Sequence, residues 1–407
     1  MPRDPERQQR IRKELQRENL DGLICVLPKH VLMATSYWPL IGASIAVVNA
    51  DGELRVIVPE GEQEFARESG FAVLAYAPGS LHDLAPIEQR VAPKLSSALS
   101  ELGLSRGRVG IALHGMEPAT YSAQQQFGPA LVDLIHEQLA TLRLEDATEL
   151  LNVLCSRLTS YELAQLIQAC VIVEEAFEAI QSVLVLGATE RDIAAELARL
   201  FSASSSARRD DRCYGFAWCM SGPNSALAKY AFAYTRSRPI QSGELVLLHC
   251  NSQVNGMWTD VTRTFVLGPL SPRCERMYES ILAARDRALE SIKPGVAARE
   301  VDAAARECLH ERGFGDDVFP HGTGHGVGFG AISANNRPRI HPASPDVLES
   351  GMVFNVEPAI YIEGFGGVRQ CEMVAVTETR AELLTPFLNS MSELVISAEA
   401  VNLRSTA

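Results

Sequence analysis

The chain has 407 residues, of which 46% are apolar and 21% charged, and its net charge is −13. That length suits two domains that each bury a sizeable core, and the composition is that of a globular enzyme, not of a disordered or fibrous chain. The acidic balance, with both signs well mixed, excludes a broad nucleic-acid surface, and no apolar run approaches a membrane span.

The nine cysteines stand at 25, 155, 170, 213, 219, 250, 274, 308 and 371. They are odd in number, dispersed and without a Cys-x-x-Cys pair, which argues for a reducing compartment and against a disulfide framework or a zinc knuckle. The N-terminus is charged where a signal peptide would turn apolar, so a cytoplasmic location is expected.

Taken in order, Pro5 to Asn19 predicts a helix with Ile11 and Leu15 on its apolar stripe, and Asp21 to Leu27 a buried strand. Ser44 to Asn49 and Leu54 to Pro59 flank Asp51-Gly52, a hairpin signal. Short strands at Phe71 to Tyr76 and Arg108 to Leu113, separated by helical stretches at Glu62 to Arg67 and Leu84 to Leu102, complete a mixed α/β domain, placed at residues 1–153. It carries no phosphate-loop or dinucleotide fingerprint.

The texture changes between Thr148 and Thr159, and residues 154–407 read as a second domain. Thr159 with Glu162 makes a capping-box pair ahead of a helical apolar pattern that runs toward Gly187. A second helix begins at Thr189, and strands follow at Tyr214 to Met220, Glu244 to Cys250 and Val261 to Leu267. The same order recurs: a helix opened by Ser271-Pro272, another over Ala298 to Glu311, then strand candidates at Met352 to Glu357, Ala359 to Ile362 and Glu372 to Thr377. Two helices followed by strands, twice over, predict an α+β domain with internal pseudo-symmetry and a ligand crevice between its halves.

Within the second half lies Pro320 to Phe329, Pro-His-Gly-Thr-Gly-His-Gly-Val-Gly-Phe. Glycines at this density cost ordering entropy and contribute no packing, so the stretch fits a place where backbone approaches a site. A neutral imidazole is the commonest metal ligand, which makes His321 and His325 candidates. Asp260 precedes a β-branched strand, where an aspartate is also an ordinary turn residue. Glu357 closes the apolar run Val-Phe-Asn-Val-Glu, and a buried glutamate needs a metal, an arginine or a proton. Glu372 follows Arg369, with which it could simply pair.

The order Asp260-x-Thr-Arg, His321-Gly-x-Gly-His325-Gly-x-Gly, Gly351-Met-Val-Phe-x-x-Glu357-Pro and Gly367-Val-Arg369 resembles the pita-bread family of proline-specific aminopeptidases, prolidases, methionine aminopeptidases and creatinases. The first domain, with its Leu20-Asp-Gly-Leu-Ile-Cys opening, is similar to the N-terminal domain of the aminopeptidase P and creatinase branch. The resemblance implies two metals held by two aspartates eleven residues apart, a histidine and two glutamates. Asp260, His325 and Glu357 match three of these, whereas His249 and Cys371 occupy the other two positions, with Glu372 one step beyond. Histidine and cysteine are themselves ligands, softer than carboxylates. One divalent metal per chain is therefore expected at Asp260, His325 and Glu357, with Cys371 or His249 as additional ligands; the alternative is that these last two are ordinary strand residues.

Supporting histidines of the resemblance are also altered: Ile332 stands at one position, and Ala228 or Lys229 at another. Thr262 and Cys371 stand where creatinase uses histidines, and His341 could take over one role. The resemblance implies a metal-dependent hydrolase of the Xaa-Pro peptidase type acting on a short peptide or small molecule. In that reading His321 stabilises the oxyanion, Glu357 or Glu372 is general base, and Arg369 completes the site. The alternatives are a creatinase-like hydrolase or lyase acting on a small non-peptide metabolite, and an inactive pita-bread domain kept for protein interaction. A homodimer, with no membrane or nucleic-acid partner, is also implied. Trp258 and Phe329 read as packing, Arg208-Arg209 as a solvated loop, and Ser202 to Ser206 as a connector.

Overall fold

The computed structural model describes residues 3–79, 81–82, 84–113, 133, 142–208, 211–229, 235–330 and 336–396. The chain divides into two compact units, Met1–Cys155 and Ser156–Ala407. Ile332 and Arg209 lie outside the described residues.

The first unit is built on α1 (Pro5–Arg17), β1 (Gly22–Cys25), α2 (Pro28–Thr35), β2 (Ile45–Asn49), β3 (Leu54–Pro59), α3 (Gln63–Arg67), β4 (Ala72–Tyr76), α4 (Ile87–Glu101), β5 (Arg108–Ile111) and β6 (Arg143–Asp146), with α5 (Thr148–Ser156) after them. Its six strands form one mixed sheet in the order β4-β3-β2-β1-β5-β6. The hairpin expected at Asp51-Gly52 joins β2 to β3, and Gly52 takes the positive φ of 86° that a side chain would resist. Val91, Leu95, Ala98 and Leu99 of α4 pack with Ile24, Ile45, Val47 and Ile57 of the sheet in one buried core. Helix α2 was not expected from the sequence, because seven of its eight residues are buried and a helix covered all round shows no amphipathic period.

In the second unit, α6 (Ser160–Ile180) and α7 (Glu190–Ser202) precede β7 (Cys213–Ser221), β8 (Leu245–Val254) and β9 (Met257–Leu267). Helices α8 (Pro272–Ser291) and α9 (Ala298–Glu311) precede β10 (Gly324–His325), β11 (Arg339–Ile340), β12 (Val353–Val356), β13 (Ala359–Ile362), β14 (Gly366–Arg369), β15 (Glu372–Val376) and β16 (Ala381–Leu383), followed by α10 (Met391–Leu394) and β17 (Val395–Ile396). The helix–helix–strands order thus occurs twice. Capping boxes start α6 at Thr159 and α7 at Thr189, and the Ser271 hydroxyl accepts the Cys274 N–H ahead of Pro272. The connector after α7 is tied down: the Ser204 hydroxyl donates to Glu175 at 2.7 Å, and Ser206 bonds the same carboxylate.

Strands β8 and β9 are longer than their apolar runs. They form one hairpin that turns at Asn255-Gly256, with φ of 52° and 86° and Val254 paired to Met257, the two-residue turn that Asn-Gly favours. Polar residues at 251–253 and 259–260 interrupt the hydrophobic pattern and hid this continuity. The hairpin belongs to a four-stranded sheet ordered β17-β9-β8-β7; isolated bridges Thr262–Cys371 and Trp258–Gly328 tie later segments to it, and Gly326–Phe354 ties two of those segments to each other.

Candidate metal centre

Because side chains alternate along a strand and paired residues share a side, the register of β7, β8 and β9 fixes what stands on one face. Phe216, Asn251 and Asp260 form one row, and Trp218, His249 and Thr262 the next. The buried polar groups of this floor satisfy one another. The Asn251 amide donates to the Thr259 carbonyl at 3.2 Å and the Asn251 carbonyl oxygen lies 3.0 Å from His249 Nε2, while on the opposite face the Ser252 and Thr259 hydroxyls lie 2.8 Å apart.

Among the described residues, one buried group of three donors could hold a metal ion: Asp260, Glu357 and Cys371, with ligand atoms all within 4.8 Å of one another. Asp260 comes from β9, Glu357 from just past β12, and Cys371 from the bridge opposite Thr262. His325 adjoins them, its Nε2 3.5 Å from Asp260 Oδ2. Its Nδ1 lies 3.1 Å from the Gly326 carbonyl oxygen, so the proton sits there and a lone pair on Nε2 faces the Asp260 carboxylate. Acceptor against acceptor is unfavourable unless a cation or a proton lies between them, and two carboxylates, an imidazole and a thiol are a donor set that a divalent transition metal accepts. The residues therefore fit such a metal.

The glycines around His325 do what their density suggested. A Cβ on Gly324 would collide with the Asn355 carbonyl, and one on Gly326 with the Arg337 carbonyl. Asn355 Oδ1 accepts the His325 N–H at 2.7 Å, and its amide nitrogen lies 3.6 Å from Cys371 Sγ. Burial is the main reason that the Cys371 thiol is raised well above its usual range, with the Asp260 and Glu357 charges adding to it. Burial also raises Glu357 to about 7, opposed by Arg369 and reinforced by Asp260.

Two expected site residues are not brought to this group. His249 lies 3.8 Å from Asp260, but its Nε2–H is given to Asn251 and its Nδ1 lies 2.9 Å from both Thr262 Oγ1 and Arg369 Nη2. Its lone pair is directed at the guanidinium, and burial, with Arg369 adding, lowers it to about 3. An imidazole so committed is not offered to a metal. Glu372, fully buried, faces away: Arg263 donates to it at 2.8 Å, Thr385 at 2.7 Å and Gln370 at 3.0 Å. A carboxylate occupied by those donors cannot serve as general base at Asp260.

Arg369 does reach the site. Its Nε donates to Thr262 Oγ1 at 3.1 Å and its Nη1 stands 3.8 Å from Glu357 Oε2. His321 is neutral, lowered to about 3 chiefly by burial, with Nδ1 2.8 Å from the Gly322 carbonyl and Nε2 3.1 Å from the Tyr361 hydroxyl. Tyr361, which sequence reasoning passed over as a strand residue, is hydrogen-bonded to Arg369 as well. Its position four residues after Glu357 in an otherwise apolar strand was the available signal. Trp258 and Phe329 are buried packing residues, and Lys229 stands 3.7 Å from Glu363. His341 is an exposed loop residue that accepts the Ala343 N–H.

Residues 164–378 match metallopeptidase family M24, and residues 7–144 match the creatinase/prolidase N-terminal domain. The chain belongs to metallopeptidase family M24. It is 28% identical over 381 residues to an Xaa-Pro dipeptidase of Pyrococcus furiosus, covering 93% of this chain and 97% of that one. A probable dipeptidase, PepE, of Mycobacterium tuberculosis is 30% identical over 297 residues, 70% of this chain and 75% of its own. Among solved structures, a dipeptidase from Pyrococcus horikoshii superposes with a TM-score of 0.77 at 26% identity, covering 96% of this chain and 99% of that one.

Proposed function

We propose that this metal-dependent peptidase hydrolyses the peptide bond of Xaa-Pro dipeptides or a closely related imide-like bond, at a site holding one divalent cation between Asp260, His325, Glu357 and Cys371. The observation that carries this reading is the buried convergence of Asp260, Glu357 and Cys371, with the His325 lone pair turned toward it. A bound cation supplies Lewis acidity toward the scissile carbonyl. Glu357, buried beside Asp260 and 3.8 Å from Arg369, takes the proton of the attacking water and passes it to the leaving nitrogen. Arg369, fully buried and fixed by Thr262 and His249, offsets the negative charge of the tetrahedral intermediate. His321 presents a lone pair, not a proton, so it orients the Tyr361 hydroxyl and does not itself donate to the oxyanion.

A second reading, a creatinase-like hydrolase or lyase acting on a small non-peptide metabolite, is favoured by one observation. An imidazole committed to Arg369 stands where the family resemblance places a carboxylate. The retained donor group weighs against an inactive interaction domain.

Elemental analysis of protein purified without added metal, with Asp260→Ala and Cys371→Ala beside it, tests the proposal. About one equivalent of metal, lost in Asp260→Ala and weakened in Cys371→Ala, together with turnover of Xaa-Pro dipeptides, is the expected result. Metal-free protein that stays folded would move the search to the second reading. No described helix is long and apolar enough to cross a membrane. A cytoplasmic homodimer is part of the proposal, and light scattering would check the dimer.

A further inference from the structure

Between Glu311, where α9 ends, and Gly324, where β10 begins, the chain forms no helix or strand, and this segment carries His321 and leads into His325. Its backbone polar groups therefore need partners from elsewhere. Two residues of α9 supply them. Asp302 and Arg306 stand one turn apart on one face of the helix and pair at 2.8 Å, the Asp302 side chain 1% exposed and that of Arg306 13%.

Asp302 Oδ1 accepts the Thr323 N–H at 3.0 Å and the Thr323 hydroxyl at 2.8 Å. Arg306 donates to the Phe319 carbonyl at 2.8 Å and to the His321 carbonyl, and its guanidinium lies over the Phe319 ring, 4.4 Å from the centroid. The planar fork of an arginine serves several acceptors at fixed angles, which an ammonium does not. The segment so held passes its position on. The Thr323 carbonyl accepts the Glu357 N–H at 2.7 Å, the Val318 carbonyl accepts the Tyr361 N–H at 2.9 Å, and His321 Nε2 meets the Tyr361 hydroxyl at 3.1 Å. Glu357 and Tyr361 are thus both tied to a segment that α9 holds in place.

We infer that Asp302 and Arg306 are positioning residues, a clamp that sets His321, Glu357 and Tyr361 through the backbone of Val318 to Thr323, so that releasing it lowers turnover more than substrate binding. The inference rests on the proposed hydrolase reading for the roles of those three residues. In that reading they serve the breaking bond, and a misplacement of about 1 Å in such groups costs about a hundredfold in rate. Losing an interaction made only in the transition state lowers kcat and kcat/KM alike and leaves KM in place.

The test uses the full-length metal-loaded protein with Arg306→Ala, Arg306→Lys, Asp302→Ala and Asp302→Asn. Steady-state kinetics on Ala-Pro is expected to show kcat down about a hundredfold in both alanine variants, with KM within about twofold of the wild type and metal content unchanged. Asp302→Asn keeps the acceptor that Thr323 uses and Arg306→Lys keeps the charge that Asp302 uses, so each recovers part of the loss. Amide hydrogen exchange is expected to quicken over residues 316–323 and at the Glu357 and Tyr361 amides, with α6 unchanged. Should the alanine variants fail to fold, a lowered kcat at unchanged KM in Arg306→Lys is the same expectation. A kcat within about threefold of the wild type, a loss carried in KM, or exchange unchanged at Glu357 and Tyr361 overturns the clamp. Exchange quickened at these positions alone, without wild-type turnover of any Xaa-Pro dipeptide, upholds the clamp and overturns the hydrolase reading.

Discussion

Glu372 and Cys371 are neighbours in the chain, yet one is held by Arg263 and the other meets Asp260. Strand alternation makes a one-residue offset decisive, since it exchanges the two faces. The spacing from Arg369 pointed to position 371, but the chemistry of a carboxylate kept Glu372 in contention, and sequence alone could not weigh Arg263 as its partner. Both side chains of the Arg263–Glu372 pair are fully buried. Glu372→Gln leaves the guanidinium without its counter-charge and is expected to cost about 3–5 kcal/mol in urea denaturation, with metal content unchanged. Histidine burial sets a pH dependence. His249 and His321, each lowered to about 3, stay neutral when folded, whereas the unfolded chain protonates near 6.5. Their stabilising contribution is complete above pH 6.5 and is lost as the pH falls from there toward 3. Glu357, raised from 4.5 to about 7, works in the opposite sense, its contribution present below pH 4.5 and lost as the pH rises through 7. In metal-free protein, His321→Gln should therefore flatten the decline of stability between pH 6.5 and 5 relative to the wild type, as denaturant midpoints would register.

At the scale of elements, the sequence was legible where a pattern was periodic or capped. Helices α6 and α7 begin where Thr159 and Thr189 announced them, and α8 begins at Ser271-Pro272. It was illegible where burial is uniform or polar residues are paired internally. Helix α2 shows the first case and the β8–β9 hairpin the second, where Asn251, Ser252 and Thr259 look like loop residues until their mutual hydrogen bonds are seen. Within α2, His30 is 2% exposed, neither ring nitrogen has a hydrogen-bond partner among the described residues, and burial lowers it well below 6.5. An apolar residue of similar size relieves that cost, so His30→Leu is expected to stabilise the protein by about 1–2 kcal/mol in chemical denaturation, with the gain increasing below pH 6.5.

For the molecule as a whole, the donor group draws its members from segments far apart in sequence, so no local pattern could display it. Asp260 and Cys371 are 111 residues apart and meet through a thiol contact with the Asp260 carbonyl oxygen at 3.2 Å. Motif order carried that information where spacing could not. A ligand that binds only the folded state stabilises it by mass action. A chelator should therefore lower the thermal midpoint of the wild type by several degrees, and the same treatment of Asp260→Ala should leave its midpoint unmoved.

The Asn255-Gly256 turn also sets an order of events in time. A two-residue hairpin closes in roughly 1–10 μs once its strands exist, because the chain between them is short. Cys371 follows Asp260 by 111 residues, which synthesis at about 5–20 residues per second supplies only after roughly 5 to 20 s. During that interval a growing chain carries the hairpin that bears Asp260, with its later companions not yet made. On the proposed reading, the donor group is incomplete until Cys371 has been made, and a chain stalled before Glu357 carries Asp260 without the two later donors that converge on it.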